Sequence, residues 1–292
     1  MSEELILSPS DPAWHERRRE VYTASDMGVL FGLPGFGGRT LSDVWWEKRF
    51  GLVSDKSTAS TRLGQRMESV ILDEAETALG TKVIDRQLWA CRGVIGATLD
   101  GRCESNGRPV EAKTSGLLWV ADAEWGDGGD EVPSAILLQV QAQILVTEAD
   151  QAIVAAIIGG RGFLLYEIPR FDALIDAMQE KATAFLATLA DDQPPAEPPQ
   201  LETLKRIRRQ PEKILPRTDV IEELYQRFEE AKATAKASEQ EKEHIQRQLL
   251  AQLGDAEAAE LPNGLLTYFE QSRKESYVAA STFRVLRFKK GA

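Results

Sequence analysis

The chain has 292 residues, of which 42% are hydrophobic and 28% are charged, so it can form one large domain or one domain with an appendage. Its formal net charge of -11 argues against loose coating of DNA by the whole surface, although screening leaves room for a local basic channel. Two cysteines and two histidines exclude a disulfide framework and a four-cysteine metal site, and they argue against a histidine-based site. The sequence contains neither a membrane-length apolar run nor a signal-peptide pattern, so we expect a soluble intracellular protein.

Four helices are predicted near the N-terminus. After a tail over residues 1–12, helical patterns cover residues 14–21, 27–31, 42–50 and 63–79. Thr23 or Ser25 can cap the second of these helices, and Gly32 can end it. The fourth pattern is the longest, with apolar residues that recur at the spacing of one buried helical face.

A β-rich region follows the helices. Strands are predicted over residues 83–88, 94–99, 110–114, 153–158 and 163–168, with helices over 134–146 and 171–189. This order predicts an α/β (α+β) fold whose core is a central mixed sheet flanked by helices. An acidic loop over residues 122–131 lies between the third strand and the next helix, where it could alter how a ligand enters.

Residues 191–200, DDQPPAEPPQ, form the clearest boundary, because four prolines in ten residues cannot continue a helix. We therefore predict a core at 1–190, a Pro-rich linker at 191–200 and a C-terminal appendage at 201–292. The appendage is predicted to contain a long helix over residues 220–253. Two strands, over 261–269 and 277–288, are predicted to complete it as a β-hairpin.

An acidic pair and a lysine stand out within the predicted strands. Asp100 follows the run 94–99, while Glu111 and Lys113 share one face of the strand over 110–114. A hairpin between the two runs would bring the three side chains to one edge. Two carboxylates beside an amine suit a hard divalent cation, Mg2+ or Mn2+, that activates water near a phosphate. The alternative is a solvated hairpin with a surface Glu–Lys pair.

Two predicted helices carry polar residues that could join the same site. Glu68 could complete a metal shell, and its alternative is a surface helix glutamate. Gln139 and Gln143 share one face of an otherwise apolar helix. A buried glutamine there could hold the lysine or a phosphate, whereas the alternative is a pair of solvated residues at the helix edge.

Candidate phosphate ligands lie near the N-terminus. Arg17, Arg18 and Arg19 carry planar guanidinium groups that bind phosphate, but three consecutive side chains cannot all point one way. We therefore expect one of them to bind, and the alternative is a solvated helix face. Ser25 could bind phosphate beside free backbone N–H groups, or it could serve as an ordinary N-cap.

Five motifs in order give a family resemblance: WHERRREVYTASDMGVLFGL, LGQRMES, ATLDG, VEAKTS and LLQVQAQ. Over about residues 14–170 they resemble the YqaJ-type viral recombinase family, a phage lambda exonuclease-like group within the PD-(D/E)xK nuclease superfamily. Leu99 stands where the superfamily signature often has proline. The resemblance does not extend to residues 200–292.

The resemblance implies a metal-dependent 5′-to-3′ exonuclease that acts on linear double-stranded DNA in phage-type homologous recombination. It implies that Arg18 and Ser25 receive the 5′-terminal phosphate. It implies five catalytic residues, which are Asp100, Glu111, Lys113, Gln139 and Glu68. It also implies the cation ligands, which are Asp100, Glu111, the backbone carbonyl of Ala112 and Glu68.

The same resemblance implies Mg2+ or Mn2+ as the cofactor and double-stranded DNA ends as the substrate. A single-strand annealing protein is the implied partner, a trimeric ring is the implied homo-oligomer, and no membrane is involved. The implied location is the cytoplasm of a bacterial host that carries a phage or prophage. Two alternatives stay open: a PD-(D/E)xK endonuclease or single-strand DNase, and a DNA-binding scaffold that has lost catalysis.

Overall fold

A computed structural model of the chain describes residues 2–6, 11–52, 59–116 and 124–268. The chain forms two compact units, of which the first runs to Ile207 and the second begins at Arg208. In the described ranges the first unit contains two β-sheets with helices, and the second contains a long helix and a small hairpin.

The four helices that were predicted near the N-terminus are present, in the predicted order. They are α1 (Pro12–Glu20), α2 (Met27–Leu30), α3 (Leu41–Phe50) and α4 (Ala59–Leu79). Thr40 caps α3 by accepting the N–H of Asp43, and Gly51 ends the helix in the left-handed conformation that glycine favours. Neither Thr23 nor Ser25 caps α2 as predicted, because Ala24–Asp26 form a short 3₁₀ turn and its last residue, Asp26, takes the N-cap position.

The first sheet contains four strands in the order β1–β4–β5–β2. Their ranges are β1 (Ser2–Ile6), β2 (Tyr22–Thr23), β4 (Leu88–Arg92) and β5 (Ile95–Leu99). The predicted N-terminal tail was therefore wrong for residues 2–6, which pair antiparallel with β4. The predicted strand over 83–88 is divided, since Asp85 and Gln87 adopt positive φ angles of 53° and 65° just before β4 begins.

The second sheet contains five strands in the order β3–β6–β7–β8–β9. Their ranges are β3 (Val83–Ile84), β6 (Gly101–Cys103), β7 (Pro109–Ser115), β8 (Gln151–Ile158) and β9 (Gly162–Pro169). Strands β6 and β7 form an antiparallel hairpin, whereas β7 and β8 are parallel. The parallel pair is connected through α5 (Ser134–Thr147), so the sheet is mixed, as predicted.

Helices cover both faces of this mixed sheet. Ala152 and Val154 of β8 lie in the same hydrophobic core as α5, whereas Ile153 and Ala155 pack with Ile71 of α4. Successive strand residues point to opposite faces, so α4 and α5 lie on opposite sides of the sheet. Helix α6 (Asp172–Ala190) adds buried residues to the core on the α5 side. The predicted α/β class with a central mixed sheet flanked by helices is confirmed.

The described part of the acidic loop is attached to β9. Residues 122–123 of this loop lie outside the described residues, but Trp125 is buried. The Tyr166 hydroxyl and the Arg161 guanidinium both donate to the Gly126 carbonyl, the first at 2.8 Å. The loop therefore follows the sheet edge from Glu124 onward.

Residues just after the Pro-rich segment pack on α3. The Gln200 N–H donates to Asp43 Oδ1 at 2.8 Å, and the Arg206 guanidinium donates to Glu47 Oε1. Between them lies α7 (Leu201–Lys205), whose Thr203 is buried. The first compact unit thus includes α7, and the predicted division at 190 and 200 stays a prediction that truncation can test.

A chain that ends at Ala190 should be less stable than one that ends at Ile207. The shorter chain loses the hydrogen bonds that Gln200 and Arg206 make to two carboxylates of α3. Hydrogen bonds to charged groups contribute about 1.5–3 kcal/mol each, so we expect a loss of about 2 kcal/mol or more in the free energy of unfolding. Urea unfolding of both truncated chains measures the difference, and equal midpoints would show that α7 does not stabilise the unit.

The second unit contains α8 (Asp219–Leu253) followed by β10 (Ala258–Leu261) and β11 (Gly264–Thr267). Thr218 caps α8, which at 1.5 Å per residue extends over about 50 Å. These two strands form a β-hairpin, but it is not the predicted pairing of 261–269 with 277–288: its turn lies at residues 262–263, where a continuous strand from 261 to 269 was predicted. Pro262 lacks an N–H for a strand ladder and Asn263 favours turns, which accounts for the break. The other predicted strand, 277–288, lies outside the described residues.

Candidate active site

Asp100 lies at the junction of the two sheets, between the last residue of β5 and the first residue of β6. The β6–β7 hairpin brings it against β7, where the Ala112 N–H donates to Asp100 Oδ2 at 2.8 Å. Gly101 permits this junction, because a Cβ atom there would lie 2.3 Å from the Val83 side chain. Asp100 and the Glu-x-Lys segment are thus neighbours in the fold.

The Glu111 carboxylate is the centre of the site. It is 2% exposed and projects from β7 on the face opposite Val110, which packs with α4. Lys113 Nζ and Gln139 Nε2 both donate to Glu111 Oε1, the second at 2.6 Å. Gln143 Nε2 donates to the other oxygen, Oε2. Strand β7 and helix α5 therefore hold one buried carboxylate from two sides.

Burial and neighbouring charges shift the pKa values of both Asp100 and Lys113. Burial, together with the Glu111 and Glu68 carboxylates, raises the pKa of Asp100 well above its usual range. Burial acts to lower the pKa of Lys113, but the carboxylates of Glu111 and Asp100 outweigh it and raise the pKa above the ordinary value. Lys113 is therefore a cation that partly balances a surplus of negative charge, and the site has room in its charge balance for a second cation.

Glu68 lies on α4 and accepts a hydrogen bond from Gln87 Nε2 at 2.9 Å. Burial raises the pKa of Glu68, and the Glu111 charge adds to the effect. The structure thus places Glu68 close enough to interact electrostatically with the site, with its carboxylate held by Gln87. Sequence reasoning did not identify Gln87, which has no pattern that distinguishes it from a surface turn residue.

The three glutamines of α5 have different environments. Gln139 and Gln143, four residues apart, face Glu111, whereas Gln141 donates to the Pro169 carbonyl at 2.6 Å. The sequence-based prediction assigned a role in the site to Gln139 but not to Gln143. The signal for Gln143 was present, since residues at i and i+4 of a helix share a face.

Arg18 and Ser25 meet at the end of α1. Arg18 Nη2 donates to Ser25 Oγ at 3.3 Å, and the guanidinium carbon lies 4.4 Å from the centre of the Trp14 ring. Trp14 Nε1 in turn donates to Thr98 Oγ1 at 2.9 Å. Thr98 is on β5, two residues before Asp100. A continuous set of contacts therefore joins the Arg18–Ser25 pair to the strand that leads into the carboxylates.

The neighbouring arginines point elsewhere. Arg17 pairs with Glu20 at 3.4 Å, and Arg19 donates to the Lys48 carbonyl at 3.1 Å. Of the three consecutive arginines, Arg18 is the one that contacts Ser25. Ser25 itself is exposed, so the pair is open to a ligand.

A buried ionic network lies behind the Arg18–Ser25 pair. Asp26 is 4% exposed, accepts from Thr23 Oγ1 at 2.6 Å and pairs with Arg39, which also pairs with Glu47. Burial acts to raise the pKa of Asp26, but the charges of Arg39 and Arg18 outweigh it and lower the pKa. Sequence reasoning missed this network, because its members are far apart in the chain and follow no motif.

Residues 13–150 match the family described as the YqaJ-like viral recombinase domain. This stretch, a little under half of the chain, is similar to that domain. A similar curated protein is the uncharacterized protein YqaJ of Bacillus subtilis (strain 168), which is 28% identical over 169 residues. The match covers 56% of this chain and 51% of that protein, so this chain spans about half the length of its relative.

Two similar solved structures are exonucleases. The alkaline exonuclease LHK-Exo from Laribacter hongkongensis has a TM-score of 0.44 at 16% identity, over 63% of this chain and 94% of that one. A phage-related exonuclease from Haemophilus somnus 129PT has a TM-score of 0.49 at 14% identity, over 61% of this chain and 97% of that one.

The matched stretch, residues 13–150, contains every candidate residue named so far, from Arg18 to Gln143. In residues 2–6, 11–52, 59–116 and 124–268, no group of three or more His, Cys, Asp or Glu side chains is arranged to hold a metal ion. Over the same ranges no helix is long and apolar enough to span a membrane.

Lys48 gives the stability of the first compact unit a testable pH dependence. It donates to the carbonyls of Arg18 and Val21, and burial lowers its pKa from 10.5 to about 8. Between these two values the unfolded chain binds the proton more strongly than the folded chain, so the free energy of unfolding should rise with pH. Below about pH 8 the cost of burying the charged amine is present in full.

Comparison with Lys48→Met isolates this contribution, because the other titrating groups cancel between the two proteins. Urea unfolding should show the wild type gaining stability relative to Lys48→Met from about pH 8 to pH 10. From pH 6 to pH 7.5 the difference should be constant. A difference that stays constant across the whole range would mean that Lys48 keeps its ordinary pKa in the folded protein.

Proposed function

We propose that this protein is a metal-dependent exonuclease that degrades linear double-stranded DNA from the 5′ end in phage-type homologous recombination. The observation that carries the proposal is the convergence on Glu111. Lys113 and Gln139 donate to its carboxylate, while Asp100 accepts the N–H of the next residue, Ala112. The similarity of residues 13–150 to the YqaJ-like viral recombinase domain supports the recombination role.

The donor set fits a hard divalent cation. Asp100, Glu111 and the Ala112 carbonyl would hold Mg2+ or Mn2+, with Glu68 as a further carboxylate. All four supply oxygen, the ligand atom that these cations prefer. Burial and, after it, the Glu111 and Glu68 carboxylates raise the pKa of Asp100, and a bound cation would offset the part that comes from like charges.

When bound, the cation would activate a water molecule and offset negative charge on the scissile phosphate. Lys113 would release its bond to Glu111 and donate to the attacking water or to a phosphate oxygen, where negative charge increases during the reaction. Gln139 would keep Glu111 in place as Lys113 moves. The raised pKa of Lys113 keeps the amine protonated for this task at neutral pH.

The Arg18–Ser25 pair would receive the 5′-terminal phosphate. The guanidinium supplies charge and directed donors, and the exposed Ser25 hydroxyl supplies one more. The contact of Trp14 with Thr98 connects this pair to β5, whose end leads to Asp100. Capture of a terminal phosphate beside the end of this strand, next to the carboxylates that would perform hydrolysis, would give the enzyme its polarity.

The remaining features of the proposal come from two sources. The core at 1–190 and the linker at 191–200 follow from the Pro-rich boundary, whereas the trimeric ring, the annealing protein as partner and the cytoplasmic location follow from the family resemblance. The substrate is proposed to be the end of a DNA duplex, so a covalently closed duplex should resist digestion.

The test is digestion of linear duplexes that carry a label at one end and either a 5′-phosphate or a 5′-hydroxyl. We expect nucleotides to be released from the 5′ end in Mg2+ or Mn2+, faster from the phosphorylated end, and no release in EDTA. A closed circular duplex is the control. Cleavage of the circle would favour the endonuclease alternative, and binding without any cleavage would favour the scaffold.

A further inference from the structure

Gln143 donates to a different oxygen of the Glu111 carboxylate from the one that Lys113 and Gln139 contact. Lys113 and Gln139 donate to Oε1, and Gln143 donates to Oε2. The Gln143 side chain is fully buried, at 0% exposure. The rotation of the Glu111 carboxylate is therefore fixed by donors on both of its oxygens.

The other end of the Gln143 amide makes no hydrogen bond. Its Oε1 atom is buried and has no partner among the residues that the structure describes. A buried oxygen without a partner costs free energy, and a methionine would fill nearly the same volume without that cost. Reversing the amide would place Oε1 against Glu111 Oε2, with two acceptors facing each other. The interaction that accounts for a glutamine at position 143 is therefore its bond to the Glu111 carboxylate.

We propose that Gln143 is a positioning residue that sets the Glu111 carboxylate for cation binding, an inference that rests on the proposed function. Gln143 would hold Oε2 while the bonds at Oε1 exchange between Lys113 and the cation. Without the Gln143 donor, the Glu111 carboxylate could rotate toward Lys113 and Gln139. Asp100 would then lack the second carboxylate, Glu111, that is proposed to bind the cation with it. Residues that hydrogen-bond to a metal ligand typically change metal affinity by about 10–100-fold.

Gln141 provides a matched control from the same helix. It is also 0% exposed, it donates to the Pro169 carbonyl at 2.6 Å, and it accepts from the Phe171 N–H at 2.9 Å. These bonds join α5 to the start of α6, on the side away from Glu111. Gln141→Met therefore removes a buried amide with a structural role, whereas Gln143→Met removes one that contacts the site.

The experiment compares the full-length wild type with Gln143→Met, Gln143→Leu, Gln141→Met and Asp100→Asn. Titration calorimetry with Mn2+ measures cation affinity, and thermal unfolding in EDTA measures stability without metal. We expect Gln143→Met and Gln143→Leu to bind Mn2+ about tenfold or more weakly. Both variants also remove a donor from a buried carboxylate, so their melting temperature should fall as well, and Mn2+ affinity is the measurement that separates them from Gln141→Met. Gln141→Met should melt at a lower temperature but bind Mn2+ with unchanged affinity.

Wild-type Mn2+ affinity in both Gln143 variants would overturn the inference, and so would an equal loss of affinity in Gln141→Met. A different result would overturn the proposed function itself. If the wild type binds no Mn2+, or if Asp100→Asn binds it as well as the wild type does, the cation site is wrong and the role of Gln143 is wrong with it.

Discussion

Lys113→Ala is expected to reduce DNA cleavage by about 10²–10³-fold or more while the protein stays folded. Removing one directed donor from a developing negative charge has effects of this size in other enzymes. Folding should survive, because Gln139 and Gln143 still donate to the buried Glu111 carboxylate. The measurement is the single-turnover rate on a 5′-phosphorylated duplex in Mg2+, together with circular dichroism and the melting temperature.

Lys82→Ala is the matched control for this prediction. Lys82 also pairs with a glutamate, Glu76, at 2.8 Å, but its side chain is 71% exposed and it contacts no residue of the site. Its removal should leave the cleavage rate unchanged, since exposed ion pairs contribute little. A Lys113→Ala protein that cleaves at the wild-type rate would rule out the proposed role of Lys113 in hydrolysis.

Local patterns were sufficient to predict much of the fold. The apolar spacing of α4 and the alternation of Glu111 with Ala112 follow directly from the periods of a helix and a strand. Strand β1 was missed because Ser2–Ile6 is too short and too charged to predict alone, and it forms by pairing with β4. The division of residues 83–88 was missed because positive φ angles at Asp85 and Gln87 depend on the tertiary structure.

Residues of the candidate site were predictable where the chemistry of the side chain coincides with the repeat of a strand or a helix. Asp100, Glu111 and Lys113 were identified because two neighbouring strands carry them, and Gln139 because it interrupts an apolar helix. The network of Asp26, Arg39 and Glu47 was not predictable, since it depends on how a turn, a loop and α3 pack. The network is unusual because its charged groups are buried, and no sequence pattern indicates that a charged group is buried.

Arg18→Ala is expected to reduce the preference for a 5′-phosphorylated end over a 5′-hydroxyl end by about tenfold or more. A hydrogen bond to a charged group contributes about 1.5–3 kcal/mol, which corresponds to at least a tenfold change in binding. The reason lies in the contact with Ser25 at 3.3 Å and the position of the guanidinium over Trp14, which together aim Arg18 at an exposed site. The measurement is the ratio of kcat/KM for two duplexes that differ only at the 5′ end.

Arg17→Ala tests whether charge alone explains such a result. It removes the same charge from the same helix, but Arg17 pairs with Glu20 and does not contact Ser25. Arg17→Ala should therefore keep the end preference, whereas Arg18→Ala should lose it and still cleave the 5′-hydroxyl duplex near the wild-type rate. If both variants keep the preference, the terminal phosphate binds elsewhere. Loss of cleavage on both duplexes in Arg18→Ala would instead mean that Arg18 takes part in hydrolysis. A mutation can separate the selection of an end from the cleavage of the bond only when different residues perform the two functions.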